Sequence, residues 1–233
     1  MADPWKLLSM GEREKSVGGR DDTYAVERLD AWWFGNLLYY LTIVALLWFA
    51  ISGIIYNDTY RAIWGFCAAI LAALPALVEW RKGWIFPWPV KFLLGLALVM
   101  HIGGGIESWY FSLYPIYDKI AHLVSAMAIA LLIFLFLLFL EYYDIIHLGR
   151  RKIVFIVIFV TLFFGLAWEV AEYDIDQNLL STYWVNLYDS IFDTIFNIIA
   201  VGFIAYHANE YLKAEPPEKV YRRFVKLKGK GPL

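Results

Sequence analysis

The sequence predicts an all-α membrane protein, a polytopic bundle of six transmembrane helices with both termini in the cytoplasm. Of its 233 residues, 61% are hydrophobic and 18% are charged, and the apolar residues fall in long blocks. This composition is typical of membrane proteins and excludes an ordinary soluble domain. A spanning helix needs about 20 mainly apolar residues, because it must cross about 30 Å of hydrocarbon. Six blocks reach that length, and the distribution of positive charge supports the same count.

The six predicted spans follow one another with short connections, which indicates a single bundle. They lie at residues 32–55, 62–79, 92–111, 119–140, 153–172 and 188–211. Their continuous apolar character differs from the alternating segments of about ten residues in a membrane β-barrel. Residues 1–31 are predicted to form a cytoplasmic N-terminal arm, 32–211 the transmembrane domain and 212–233 a basic cytoplasmic tail. The arm has no signal-peptide pattern, so we expect the first span to remain as an anchor.

The orientation follows from the 20 Lys and Arg residues. When they are assigned to the two ends of six alternating spans, 18 fall on one side, and Arg61 and Lys119 fall on the other. Positively charged loops stay in the cytoplasm, which places both termini there and predicts a multi-pass protein of the cell membrane. The basic tail fits either a solvated segment or a contact with anionic lipid headgroups.

Ionisable residues within the spans gather toward the opposite, extracytoplasmic face. Charges in a span are costly and usually face the bundle interior or a wet cavity. The fourth and sixth spans begin at this face and the fifth ends there, so residues distant in sequence are expected to meet. Within each span their spacing of three or four residues places them on one helical face. These residues are Asp118, His122, Glu169, Glu172, Asp189, Asp193 and Asn197, with His101 and Glu107 from the third span.

This pattern predicts a metal site, because helix bundles bind metals through carboxylate and imidazole ligands at such spacings. Carboxylates with one or two His favour Mg²⁺, Mn²⁺, Ca²⁺ or iron and leave Zn²⁺ open. The expected metal ligands are Glu169, Asp189 and Asp193. The expected catalytic residues are His122, Asp118 and Glu172, with Asp118 orienting His122. The alternative is a network of ion pairs and shared protons around Lys119, which by charge can neutralise one carboxylate.

Three short motifs carry a family resemblance. They are Tyr117-Asp118-Lys119-Ile120-Ala121-His122, then Trp168-Glu169-Val170-Ala171-Glu172, then Asp189-x-x-x-Asp193-x-x-x-Asn197 followed by Gly202. Together they resemble the YjdF-like family of bacterial inner-membrane proteins and, more distantly, the VanZ-like family, over about residues 100–203. In those families, Asp-Lys/Arg-x-x-His opens one span, Glu closes the next, and Asp-x-x-x-Asn leads to Gly in the last. The resemblance implies that the polar residues form one unit, and it implies no particular reaction.

Three functions remain open from the sequence. The first is a membrane-embedded enzyme that uses a divalent metal on a lipid or lipid-linked substrate in the outer leaflet. The second is a proton- or cation-coupled transporter, and the third is a non-catalytic accessory protein. The position near one face favours the enzyme, because carriers usually bind near the midplane and often have internal repeats. Membrane lipids are the expected partners, and no feature indicates nucleic acid.

Overall fold

The computed structural model describes residues 33–174, 187–224 and 226–227. Within this part of the chain, six helices are long and apolar enough to cross a membrane, which confirms the predicted all-α class. The first to sixth spans run Trp33–Ile55, Thr59–Lys82, Trp88–Ile106, Ile116–Tyr142, Gly149–Asp174 and Tyr188–Ala214. We call the face where the fourth and sixth spans begin the site face, and the opposite one the basic face.

Short elements connect and follow the spans. Helix Trp109–Ser112 links the third span to the fourth, and helix Pro217–Phe224 follows the sixth. Strand β1, Trp84–Ile85, pairs antiparallel with strand β2, Lys226–Leu227. The segment after the sixth span therefore returns to the loop between the second and third spans. Tyr221 anchors this segment, because its buried ring stacks on Tyr142 with the ring centroids 4.6 Å apart.

The helix ends at the basic face are closed by local hydrogen bonds. Gly83 ends the second span with φ 68°, a left-handed conformation that suits glycine, and its N–H donates to the Glu79 carbonyl. At the next connection, Glu141 accepts from the backbone N–H groups of Leu148 and Gly149. The last turn of the fourth span thus satisfies free donors at the first turn of the fifth. This holds the two helices as antiparallel neighbours.

The fourth span is the central helix. It packs against the third, fifth and sixth spans and against helix Pro217–Phe224. Small buried side chains at Ala121, Ala126 and Ala130 allow this close approach, as in other membrane bundles. Larger buried residues fill the half near the basic face, among them Phe134 and Leu138. The fourth span therefore brings its polar first turns against the matching turns of the fifth and sixth.

Glycines set the close crossing of the first and second spans. A Cβ at Gly65 would lie 2.5 Å from the backbone nitrogen of Ala50, and one at Gly53 would lie 2.3 Å from that of Ala62. Close backbone approach through small residues is a common way for membrane helices to associate. The first pair of spans is thus held by backbone contact.

The third span changes its winding midway. Residues Val99–Gly103 form a π-helical turn, which places one extra residue in the turn and contains His101. The run Gly103-Gly104-Gly105 is compatible with either close helix packing or an opening of the helix beside a cavity. A Cβ at Gly103 would lie 2.9 Å from the Phe49 ring, and one at Gly104 would lie 2.7 Å from the Tyr110 ring. Both positions are therefore packed against aromatic side chains.

We expect the substitution Gly65→Ala to destabilise the bundle by about 1–3 kcal/mol, because the new methyl group overlaps the backbone of the first span. The measurement is the apparent unfolding temperature of the purified protein in detergent. Gly202→Ala is the matched control, since nothing lies within 4 Å of a Cβ added there. Equal unfolding temperatures for the two variants would contradict the backbone-contact account.

Candidate functional site

Most of the polar side chains predicted from the sequence meet beneath the site face. We give the name acidic cluster to Asp118, Lys119, His122, Glu169, Glu172, Asp189 and Asp193. His122 lies six residues after the start of the fourth span, and Asp193 lies five residues after the start of the sixth. A rise of about 1.5 Å per residue places both within about 10 Å of the helix ends. The cluster therefore sits in the outermost third of a membrane of ordinary thickness.

Lys119 holds the cluster together through three carboxylates. Its Nζ lies 3.1 Å from Asp118 Oδ2 and 2.6 Å from Asp189 Oδ1. It also lies 2.8 Å from Oδ1 and 2.9 Å from Oδ2 of Asp193. These contacts join the fourth span to the sixth. By charge Lys119 balances one carboxylate, as expected, but by contact it positions three.

His122 is buried at the centre of the cluster and faces carboxylates from three helices. Its Nε2 lies 3.5 Å from Asp118 Oδ1, 3.8 Å from Glu172 Oε2 and 3.9 Å from Asp193 Oδ1. Its Nδ1 lies 3.3 Å from Glu169 Oε1. The imidazole therefore stands between the carboxylate of Glu169 on one side and three carboxylates on the other.

Several buried oxygens of the cluster accept no hydrogen bond from the described residues. They include Asp118 Oδ1 and both carboxylate oxygens of Glu169, whose residues are 7% and 6% exposed. Asp193 Oδ1 also lacks an aligned hydrogen bond, although the Lys119 ammonium is close to it. Buried carboxylate oxygens without donors are costly. With five carboxylates around one lysine, the cluster requires added protons or a bound cation.

Two overlapping groups have ligand atoms close enough to share a metal ion. Asp118, His122 and Asp193 form one group, and His122, Glu169 and Glu172 form the other; in each group, one ligand atom from each residue lies within 4.8 Å of the others. Asp189, which the sequence predicted as a ligand, belongs to neither and contacts Lys119 instead. His122 is common to both groups, so the cluster has a single centre.

His101 lies beside the cluster but its ring nitrogens are both engaged. Nε2 lies 2.8 Å from Ser125 Oγ, and Nδ1 lies 2.8 Å from the Tyr110 hydroxyl. Tyr110 lies beyond the third span, and burial raises the pKa of its hydroxyl, so it stays protonated. His101 thus forms part of the wall, with its ring centroid 6.3 Å from that of His122.

The structure places Glu107 outside the cluster. Its carboxylate forms an ion pair with Arg61 of the second span at 2.8 Å. Asn197 is buried one turn deeper than Asp193, where its Nδ2 would lie 3.0 Å from a Cβ on Gly165. Gly165 therefore makes room for Asn197. Sequence reasoning missed Gly165, although it lies four residues before Glu169 on the same helical face.

Ser125 and Tyr110 were also missed as parts of the site wall. Ser125 lies three residues after His122, so helical periodicity could have placed it on the site face of the fourth span. Tyr110 lies in the short helix between the third and fourth spans, where no regular periodicity connects it to His101. The contact of Tyr110 with His101 could therefore be identified from the folded structure and not from residue spacing.

Six spans with a buried acidic and histidine cluster define an integral, multi-pass membrane protein. The chain belongs to the family described as "Predicted membrane protein (DUF2238)", whose model matches residues 35–214. This match overlaps all six spans and is consistent with the resemblance to YjdF-like proteins, which covered about residues 100–203. The more distant VanZ-like relationship stays a prediction. No curated protein and no solved structure gives a significant match.

We expect Lys119→Met to destabilise the protein by about 3 kcal/mol or more, because it leaves three contacting carboxylates without their cation. The apparent unfolding temperature in detergent at neutral pH measures this loss. Lys213→Met is the control, since the Lys213–Glu210 pair is exposed and should contribute nothing measurable. A Lys119 variant as stable as the wild type would refute the organising role of this residue.

Proposed function

We propose that the protein is a membrane-embedded enzyme that uses a divalent metal ion at the acidic cluster to act on a lipid or lipid-linked substrate. One observation carries the proposal. Asp118 Oδ1 and Asp193 Oδ1 both face His122 Nε2, at 3.5 and 3.9 Å, and neither accepts an aligned hydrogen bond from the described residues. All three side chains are buried.

The distances around Nε2 suit ligands of one cation better than hydrogen-bonded partners. Ligand atoms that lie about 2.0–2.4 Å from a common cation are roughly 3 to 4 Å from each other. Hydrogen bonds to an imidazole nitrogen are shorter, at about 2.7–3.2 Å. A cation coordinated by Asp118, His122 and Asp193 would also offset part of the negative charge. Asp118 Oδ1 and Asp193 Oδ1 are also the atoms left without aligned donors among the described residues.

The neighbours of these three residues support the same assignment. Lys119 binds Oδ2 of Asp118, which leaves Oδ1 of that residue directed toward His122, and it contacts both oxygens of Asp193, with its aligned hydrogen bond to Oδ2. Glu169 faces Nδ1, the nitrogen opposite the proposed metal, and a carboxylate in that position orients a metal-bound imidazole. Asp118 thus takes the ligand role predicted for Glu169, and Glu169 takes the orienting role predicted for Asp118. Asp189 acts through Lys119.

The substrate class follows from where the cluster lies. It sits close to the helix ends, at the depth of lipid headgroups, on the face that charge distribution predicts to be extracytoplasmic. A divalent ion held by carboxylates would bind a phosphate oxygen of a headgroup and polarise it. Glu172 has a side chain 31% exposed and lies 3.8 Å from Nε2, so it is placed to act as the general base.

A second candidate, a cation- or proton-coupled carrier, is favoured by a polar track that continues below the cluster. Asn197 is buried one turn below Asp193, and Thr161 is buried at the middle of the fifth span. Thr161 Oγ1 has no hydrogen-bond partner among the described residues. Polar groups that reach the midplane are typical of transport paths. Cation-driven flux in liposomes that Thr161→Val abolishes, with metal content unchanged, would favour this candidate.

We expect the protein purified without chelators to contain about one divalent ion per chain, and the double variant Asp118→Asn, Asp193→Asn to contain none. The physical reason is that amide groups replace the two carboxylates that face His122 Nε2. Elemental analysis measures the metal, and a thermal shift on adding Mg²⁺, Mn²⁺, Ca²⁺ or Zn²⁺ identifies which ion stabilises the chain.

Glu107→Gln is the matched control for these measurements, because Glu107 pairs with Arg61 away from the cluster. It should retain the wild-type metal content. Absence of stoichiometric metal from the wild type, together with unchanged stability on adding each ion, would overturn the metal proposal. If the metal is bound but no phospholipid or lipid-linked phosphate is turned over, the enzyme proposal is wrong and the non-catalytic accessory role is supported.

A further inference from the structure

A cavity of about 570 Å³ lies in the half of the bundle near the basic face. Its walls come from the second, third and fourth spans. β1 and the helix Pro217–Phe224 contribute Trp84 and Tyr221 at its outer end, with Phe86 beside them. None of the residues of the acidic cluster lines it, so it is a separate feature of the molecule.

The cavity has the depth of one membrane leaflet. Its deepest walls include Leu98 and Leu132. Leu98 lies ten residues after the start of the third span, and Leu132 lies ten residues before the end of the fourth. Ten residues of helix rise about 15 Å, which is half of the roughly 30 Å hydrocarbon core. The cavity therefore extends from the basic face to about the membrane midplane.

The lining of the cavity is apolar. Among the described residues that line it, Lys91 alone is charged, and its ammonium is neutralised by Glu79 at 2.8 and 3.1 Å. Lys91 is fully buried, so its methylene groups and not its charge face the space. A space of this size with apolar walls matches the sites that hold hydrophobic ligands. Water would gain few hydrogen bonds there.

The entrance lies on the side of the cavity that faces the bilayer. Leu71 and Leu74 of the second span and Leu132 and Phe136 of the fourth line the space and are also exposed on the bundle surface. The gap between these two helices therefore opens laterally, at the depth of lipid tails. A space of this volume that reaches the midplane between helices suits a flexible acyl chain better than the rigid helix face of another protein.

Basic side chains lie where the headgroup of such a lipid would be. Arg81 and Lys82 are exposed at the end of the second span, three and two residues before Trp84. Arg222 is exposed next to Tyr221 and stacks on Tyr142 at 5.4 Å. Basic residues next to the membrane attract anionic headgroups. The positive charge at the outer end of the cavity thus complements the phosphate of an anionic headgroup.

We propose that this cavity binds one acyl chain of an anionic phospholipid from the leaflet at the basic face, with the phosphate between Arg81, Lys82 and Arg222. The apolar wall receives the chain, and the lateral gap between the second and fourth spans admits it. The binding site is independent of the metal chemistry proposed for the acidic cluster.

The test uses the full-length protein in bilayers that contain phosphatidylglycerol with a spin label on its acyl chain. We expect a strongly immobilised component of about one lipid per chain, beyond the loosely held lipid around the bundle. Leu94→Trp places an indole in the cavity and should reduce that component at least about fivefold. Leu132→Trp, which places an indole at the entrance, should reduce the component in the same way, and it replaces Leu94→Trp in the test if that variant folds poorly.

Leu77→Trp is the matched control, because Leu77 lies on the second span, which contributes to the cavity wall, but is itself outside the lining and exposed on the bundle surface. It should leave the immobilised component unchanged. Spin-labelled phosphatidylcholine should show a weaker component, and Arg81→Ser with Arg222→Ser should remove the preference for phosphatidylglycerol. An equal component for both lipids overturns the headgroup assignment. An immobilised component that is absent, or unaffected by both cavity-filling variants, overturns the site. Crosslinking of a Phe136→Cys variant into a dimer would also overturn it, because a second copy of the chain would then cover the entrance.

Discussion

The contact of one lysine with three carboxylates is the constraint on which the polar half of the bundle depends. Lys119 ties Asp118, on its own helix, to Asp189 and Asp193 on the sixth span. An ammonium buried at this depth requires such partners, and the carboxylates require it in turn. Because Lys119 fixes one oxygen of Asp118, the other is directed to His122. The small residues of the fourth span allow the helices to approach closely enough for these contacts.

The spans could be predicted because crossing a membrane imposes a minimum length and a sign of charge on the loops. Their ends were less predictable. The third span begins at Trp88, four residues before the predicted start, because Pro89 fits the first turn of a helix. The pairing of β1 with β2 joins segments more than 140 residues apart, and two-residue strands leave no periodic pattern in a sequence.

The membership of the candidate site could be anticipated where helices are regular. Asp118 and His122, or Glu169 and Glu172, share a face because the winding between them is uniform. That reasoning fails in the third span, where the π-helical turn Val99–Gly103 rotates the residues after it, and Ser108 has a left-handed backbone with φ 56°. Glu107 therefore points to Arg61. The proposed division of roles around His122 depends on side-chain rotamers, which residue spacing does not encode.

The return of helix Pro217–Phe224 onto the bundle has a consequence for the order of assembly. This helix is synthesised after all six spans, yet Tyr221 forms part of the wall of the apolar cavity. Until it docks, the outer end of that cavity is an open groove in contact with the surrounding bilayer. If the cavity holds a lipid as proposed, that lipid can settle between the second and fourth spans during membrane insertion, and the docking helix then closes the outer end while the lateral gap stays open.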